Sequence, residues 1–210
     1  MIISSITPHP KRPAQHQLTL EDGRVITVRE GALTQFFLYP GKDIAEAELE
    51  SLLEANDQQK VRSRALRLLD YRAMSRKELI DKLVEKGEDP ELAADAADWL
   101  LEIGQLDDAE YAASIVRHYG AKGYGRRRIE SELWRRGIEK DDWDAAFLEL
   151  PEEAERDALI DQFIRSKLRG AIPDRKEEKR VTDALARRGY AWDEVGAAMR
   201  RYRESLGDIE

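Results

Sequence analysis

Apolar positions follow two rhythms along this chain. Before residue 30 they alternate. In "QHQLTLEDGRVITVRE", Leu18 and Leu20 face Val25, Ile26 and Val28 across Glu21-Asp22-Gly23-Arg24, and an Asp-Gly between such runs predicts a β-hairpin. "MIISSIT" adds a candidate third strand, and "EGALTQFFLYPG" predicts a short helix stopped before Pro40 and Gly41. Further on, apolar residues recur three and four apart, the spacing of one helix face. "DIAEAELESLLEAN" turns Leu49, Leu52 and Leu53 inward, and "VRSRALRLLDYR" presents Val61, Ala65, Leu68 and Leu69. "LDDAEYAASIVRHYG" presents Tyr111, Ile115, Val116 and Tyr119, and "EEAERDALIDQFIRSKL" presents Leu159, Ile160, Phe163 and Ile164.

Three of the helical stretches are copies of one unit. "ELIDKLVEKG", "RIESELWRRG" and "RVTDALARRG" align on Gly87, Gly137 and Gly189. Each has an aliphatic residue eight before the glycine (Leu79, Ile129, Val181), a leucine four before it (Leu83, Leu133, Leu185) and a cation just before it (Lys86, Arg136, Arg188). A cation in the last turn with glycine beyond it is what a helix C-terminus favours. The starts agree too: Ser75 with Glu78 and Asp174 with Glu177 have capping-box spacing, and Gly125 stands in the second copy where Ser75 stands in the first. Gly123 and Gly125 then end one helix and begin the next, with Tyr124 anchoring the turn. Asp107 with Glu110 has the same capping spacing. The third copy is a turn longer. A further helix follows each glycine: Leu92, Trp99, Leu100 and Ile103 after Gly87; Ile138, Trp143, Ala146 and Phe147 after Gly137; Tyr190, Val195, Ala198 and Met199 after Gly189. Trp99 and Trp143 sit at core spacing, whereas Trp134, beside Leu133, is placed to be half exposed.

The expected fold class is therefore mainly α: three tandem three-helix repeats in an elongated array, preceded by a small β-rich N-terminal module. The divisions fall at 1–56 for the β-hairpin module with its connecting helix, 57–104 for repeat 1, 105–150 for repeat 2 and 151–210 for repeat 3.

Composition narrows the function. Of 210 residues, 37% are charged, as suits short amphipathic helices with wide solvated faces. Cysteine is absent, which removes disulfides and thiolate metal sites and makes a reducing cytoplasm the simplest location. No apolar run is long enough to cross a membrane, and the N-terminus lacks the pattern of a secretory signal. The net charge of −8 favours a protein partner over bare nucleic acid. No catalytic constellation emerges. His9, His16 and His118 are scattered, "GYGRRR" lacks the ending of a phosphate-binding loop, and Asp107-Asp108 and Asp141-Asp142 read as helix-start residues. No enzyme activity, cofactor or metal is expected, and the chain is expected to be a monomer.

"SRKELIDKLVEKG", "LDDAEYAASIVRHYGAKGYGRRRIESELWRRGI" and "KRVTDALARRGY" resemble the RecX family, regulators of the bacterial recombinase RecA. The resemblance runs from about Val61 to Tyr202. It rests on Leu106-Asp107-Asp108, on Gly123-Tyr124-Gly125, and on Glu132, Leu133, Arg136, Gly137 and Ile138. It implies three three-helix repeats in a curved rod, and a non-enzymatic protein that binds the RecA filament, blocks its extension or promotes its disassembly. ATP hydrolysis, strand exchange and SOS co-protease activity would be restrained. The β-rich leader resembles that of longer family members.

The arginines of the second copy are the candidate contact. Ion pairs four apart, Arg128–Glu132 and Glu132–Arg136, would explain them as a solvated face, but each is worth only about 0.2–0.5 kcal/mol. Arginine's planar fork suits carboxylates and phosphates. The candidate partner-binding residues are Lys122, Tyr124, Arg126, Arg127, Arg128, Arg135 and Arg136, with Arg76 and Lys77 in the first copy and Arg187 and Arg188 in the third. RecA and the DNA within its filament are both open as the surface they meet. A sequence-independent DNA-binding protein using the arginine-rich helices, and a helical adaptor for another partner, are the competing readings.

Overall fold

The structure, a computed structural model, describes residues 1–207. It divides into two compact units: residues 1–71 with 79–105, and residues 72–78 with 106 onward.

The first unit opens with an antiparallel meander of β1 (Ile3–Pro8), β2 (Gln15–Leu20) and β3 (Val25–Arg29) in the order β1-β2-β3. The expected hairpin pairs Leu18 with Ile26 and His16 with Val28. Ile3, Leu18, Leu20 and Val28 are buried together. α1 (Glu30–Gln35) is the expected short helix.

α2 (Glu46–Tyr71) runs as one helix where the sequence reading had two, so the division expected at 56 falls within it. Nothing at Asn56-Asp57 breaks a helix, and its two halves serve two cores. Leu49 and Leu52 close the sheet. Val61 and Ala65 are buried on the half that packs against α4 (Pro90–Glu102), where Ala93, Ala96, Ala97 and Leu100 are buried as well. Alanine lets two helix backbones approach closely. α3 (Arg76–Glu85) adds Leu79 and Leu83, the predicted pair. Leu53 and Ile103 were expected inside and are exposed. Leu53 lies to one side of the Leu49–Leu52 stripe, and Ile103 stands just past the last turn of α4.

In the second unit, α5 (Asp108–Ala121) and α6 (Arg126–Arg135) bury Ile115, Val116, Ile129, Leu133 and Ile138. The third helix of this repeat is shorter than expected. α7 (Trp143–Ala146) is a single turn between two tight 3-10 turns, with Leu150 N–H donating to Phe147 O three residues back (3.3 Å). Ile138 and Pro151 leave little chain between them, and the tighter winding carries Ala146 and Phe147 into the core. Trp143 is half-buried, and its indole N–H donates to Ile138 O at 3.2 Å. Trp99 is also half-buried, whereas Trp134 is 76% exposed.

The third repeat comprises α8 (Glu153–Leu168), α9 (Arg175–Arg187) and α10 (Trp192–Gly207). Ile160, Ile164, Val181, Leu185, Val195 and Met199 form its core. α9 is the longer second helix expected, with both hydrogen bonds of the Asp174–Glu177 capping box in place.

Candidate partner-binding surface

The motifs of the second unit are explained by how the ends of the second helices meet. Gly125 is the N-cap of α6, and its N–H donates to Arg188 O at 2.9 Å, while Arg127 N–H donates to Gly189 O at 3.2 Å. The free N–H groups that open α6 are thus satisfied by carbonyls at the end of α9. The backbones approach so closely that no side chain fits between them. A Cβ on Gly125 would stand 2.5 Å from the Gly189 carbonyl carbon and 2.6 Å from Tyr190 N. The start of α3 repeats this arrangement on the end of α6. Ser75 Oγ donates to Arg136 O and also accepts from Glu78 N–H at 3.0 Å, while Glu78 returns the capping-box bond to Ser75 N–H at 3.2 Å. A Cβ on Gly137 would stand 2.8 Å from Lys77 Cβ. At the start of α9 this role passes to its own capping box.

The paired aspartates divide their work. Asp107 caps α5 by accepting from Glu110 N–H at 2.8 Å, and Glu110 turns its carboxylate to Arg117 instead of closing a box. Asp108 accepts from Arg76 N–H at 2.8 Å and so holds the first turn of α3. Burial pushes the Asp108 carboxyl above its ordinary range.

Against this framework the candidate residues separate. Arg136 is mostly buried. It pairs with Glu132 (2.8 Å), lies 3.6 Å from Glu78 and donates to the Tyr111 hydroxyl. Glu132 also takes Arg135, at 2.6 Å, and its side chain is only 4% exposed. The bond from Arg135, seconded by Arg136, holds the Glu132 carboxyl down at about 2 against the pull of burial. The pair expected between Arg128 and Glu132 is replaced by Arg126 with Glu130 at 2.8 Å. Arg126 also lies over the Phe147 ring at 4.1 Å. Arg188 stacks on Phe163 (4.4 Å) and Tyr124 (5.5 Å) and donates to Gly123 O at 3.3 Å. Tyr124 is half-buried against Tyr119. Lys122 follows α5 with its Nζ 2.9 Å from His118 Nε2.

Arg127, Arg128 and Arg187 are exposed and, among the described residues, make no side-chain hydrogen bond or ion pair. Arg76 opens α3, half-buried, and the exposed Lys77 beside it lies along Gly137; both are already engaged within the fold. The structure therefore brings Arg127 and Arg128 together as unengaged cations, and uses Arg136 and Arg188 to join repeats. Glu132 and Tyr111, which organise Arg136, were not candidates. Tyr111 looks like any core aromatic in a one-dimensional pattern, and the burial of Glu132 has no local signal.

Residues 62–100 match the family description "RecX, first three-helix domain", and residues 107–146 match "RecX, second three-helix domain". The regulatory protein RecX of Mycolicibacterium vanbaalenii is 35% identical over 185 residues, spanning 82% of this chain and 98% of that one. That of Halorhodospira halophila is 39% identical over 141 residues, 66% of this chain and 85% of that one. A solved structure described as regulatory protein RecX superposes with a TM-score of 0.80 at 26% identity, covering 95% of this chain and 98% of that one. RecX from Lactobacillus salivarius shares the fold, with a TM-score of 0.64 at 20% identity over 71% of this chain and 98% of that one. Helix-end stacking built from the Asp-Asp, Gly-Tyr-Gly and Arg-Gly motifs, together with relatives matched over nearly their whole length, places this chain in the RecX family of regulatory proteins.

Proposed function

We propose that this protein binds the RecA–DNA filament through the exposed arginine side chains of the first turn of α6 and restrains RecA, limiting filament extension, ATP hydrolysis, strand exchange and SOS co-protease activity. It acts by binding and not by catalysis. The observation that carries this reading is the state of Arg127 and Arg128. Both lie in the first turn of a helix, where the dipole disfavours cations, and among the described residues neither meets a carboxylate. A stability role does not account for them, whereas an acidic protein surface or a phosphate would. Arg126 beside them and Arg135 at the far end of α6 are already paired.

Arg127→Glu with Arg128→Glu tests this. Glutamate in the first helical turn is favoured by the dipole, so the melt should be unchanged or slightly raised. Titrated substoichiometrically into RecA ATPase and strand-exchange assays, the parent protein should inhibit and the double variant should not. Inhibition by the variant at the parent's concentration overturns the assignment.

A further inference from the structure

The chain carries eight more acidic than basic residues, yet a cleft of about 530 Å³ in its first unit is lined, among the described residues, by five cations and no carboxylate. Arg12 comes from the β1–β2 connection, Arg29 from the end of β3, and Lys60, Arg64 and Arg67 from one stripe of α2. The hydrophobic alternation of β3 creates the near wall. Val28 turns into the core, so Arg29 and Thr27 turn away from it. On α2 the residues at 56, 60, 64 and 67 are spaced four, four and three, one helix face beside the buried Val61–Ala65 stripe.

The three cations of α2 are held by groups that do not line the cleft, and Arg12 donates to Gln15 within it at 3.3 Å. Glu88, buried behind α2, takes both Arg64 and Lys60, the latter at 3.3 Å. Arg67 Nε–H donates to Ser63 O at 3.1 Å. Arg29 makes no side-chain hydrogen bond or ion pair among the described residues. A concave wall of one charge sign concentrates oppositely charged ligands.

We propose that this cleft is a binding site for the phosphate backbone of a nucleic-acid strand, separate from the arginines of α6 and independent of their role. Three features select this ligand. The α2 stripe from Lys60 to Arg67 extends about 10 Å along the helix, too far for one phosphate, while a nucleic-acid strand carries a charge about every 3.4 Å of axis. Among the described residues no aromatic side chain lines the cleft, so bases have no stacking platform and binding is indifferent to sequence. An acidic peptide adding to the edge of β3 is opposed, because Asn56 Nδ2–H already donates to Thr27 O at 3.0 Å.

The test is fluorescence anisotropy of a labelled oligothymidine with the full chain over a range of salt. Arg12→Gln, Arg29→Gln and Arg67→Gln together leave the Glu88 pairs intact. Three lost contacts should reduce the log–log salt slope by about 2 and weaken binding on the order of 100-fold at about 0.1 M salt. Arg165→Gln with Arg180→Gln, at exposed positions of the third repeat, should bind like the parent. If the triple variant does not fold, Arg67→Gln alone, at an exposed position, should lower the slope by about 0.7. The proposal fails if the parent does not bind the oligonucleotide, if the cleft variants bind as the parent does, or if poly-glutamate competes as well as unlabelled oligothymidine.

Discussion

Gly125→Ala isolates the junction between α6 and α9, because Gly125 does not need to be glycine for its own backbone. Its φ of −79° and ψ of 165° lie in ordinary extended space that alanine enters freely. On the backbone alone the substitution should stabilise by about 0.4–1 kcal/mol, through a less flexible unfolded chain. Three effects oppose this. The new methyl overlaps the Gly189 carbonyl and crowds Tyr190 N, both backbone atoms that cannot swing aside, and such overpacking costs about 1–3 kcal/mol. Separating the helix ends stretches the Gly125–Arg188 and Arg127–Gly189 hydrogen bonds, worth about 0.5–1.5 kcal/mol each. The net expectation is a loss of about 1–5 kcal/mol. Gly31→Ala is the control: it lies inside α1, has no positive φ, and nothing stands near the added methyl. It should stabilise by about 0.5–1 kcal/mol. Urea unfolding followed by circular dichroism measures both. A Gly125→Ala protein as stable as the parent would show that the two helix ends do not meet as described.

Two further substitutions probe the same repeat. Leu133→Ala removes a fully buried side chain and should cost about 2–5 kcal/mol; an unchanged thermal melt would place Leu133 outside the core. Glu132→Gln should cost up to about 3 kcal/mol at pH 7, the equivalent of lowering its carboxyl from 4.5 to about 2, less the screening of the largely exposed Arg135. Since the folded-state value is depressed, the parent holds this stability above about pH 4.5 and loses it as pH falls through about 2. The gap between parent and variant should therefore close across that window in urea melts, and a gap as wide at about pH 2 as at pH 7 refutes the buried ion pair.

What could be read from the sequence was local. The hairpin announced itself because Asp22-Gly23 sits between alternating runs whose register buries one face. The second helices announced themselves because a leucine four residues before a glycine, with a cation between, is a helix end in all three copies. The single α2 was less legible. Leu49 and Leu52 belong to the sheet's core and Val61 and Ala65 to the helical one, so the apolar stripe changes partner midway and reads as two helices. Only the absence of glycine or proline between them signalled continuity. The collapse of the third helix of repeat 2 into α7 and its flanking turns depends on where Pro151 packs, close to Gly120, and spacing along the chain does not contain that.

The candidate surface shows the same limit in chemical form. An Arg-Gly at a helix end satisfies a local rule completely, so nothing in the run Trp134–Ile138 indicates that Arg136 O and Gly137 also serve the first turn of α3. The clue lay in a correspondence between copies. Gly125 and Ser75 occupy equivalent N-cap positions, and only Ser75 carries an oxygen able to reach a neighbouring carbonyl. A glycine N-cap forgoes that side-chain bond, which makes sense if a backbone N–H makes the bond instead, and Gly125 N–H does so to Arg188 O. Once the helix ends are joined in this way, the side chains of Arg136 and Arg188 fold back over the joints, onto Tyr111 and onto Phe163 and Tyr124. Arg127 and Arg128 meet the same joint through their backbones, but among the described residues their side chains make no hydrogen bond or ion pair there. The difference between an arginine that builds the fold and one left for a partner is thus set by whether its side chain folds back over a helix junction, a contact made between residues more than fifty positions apart.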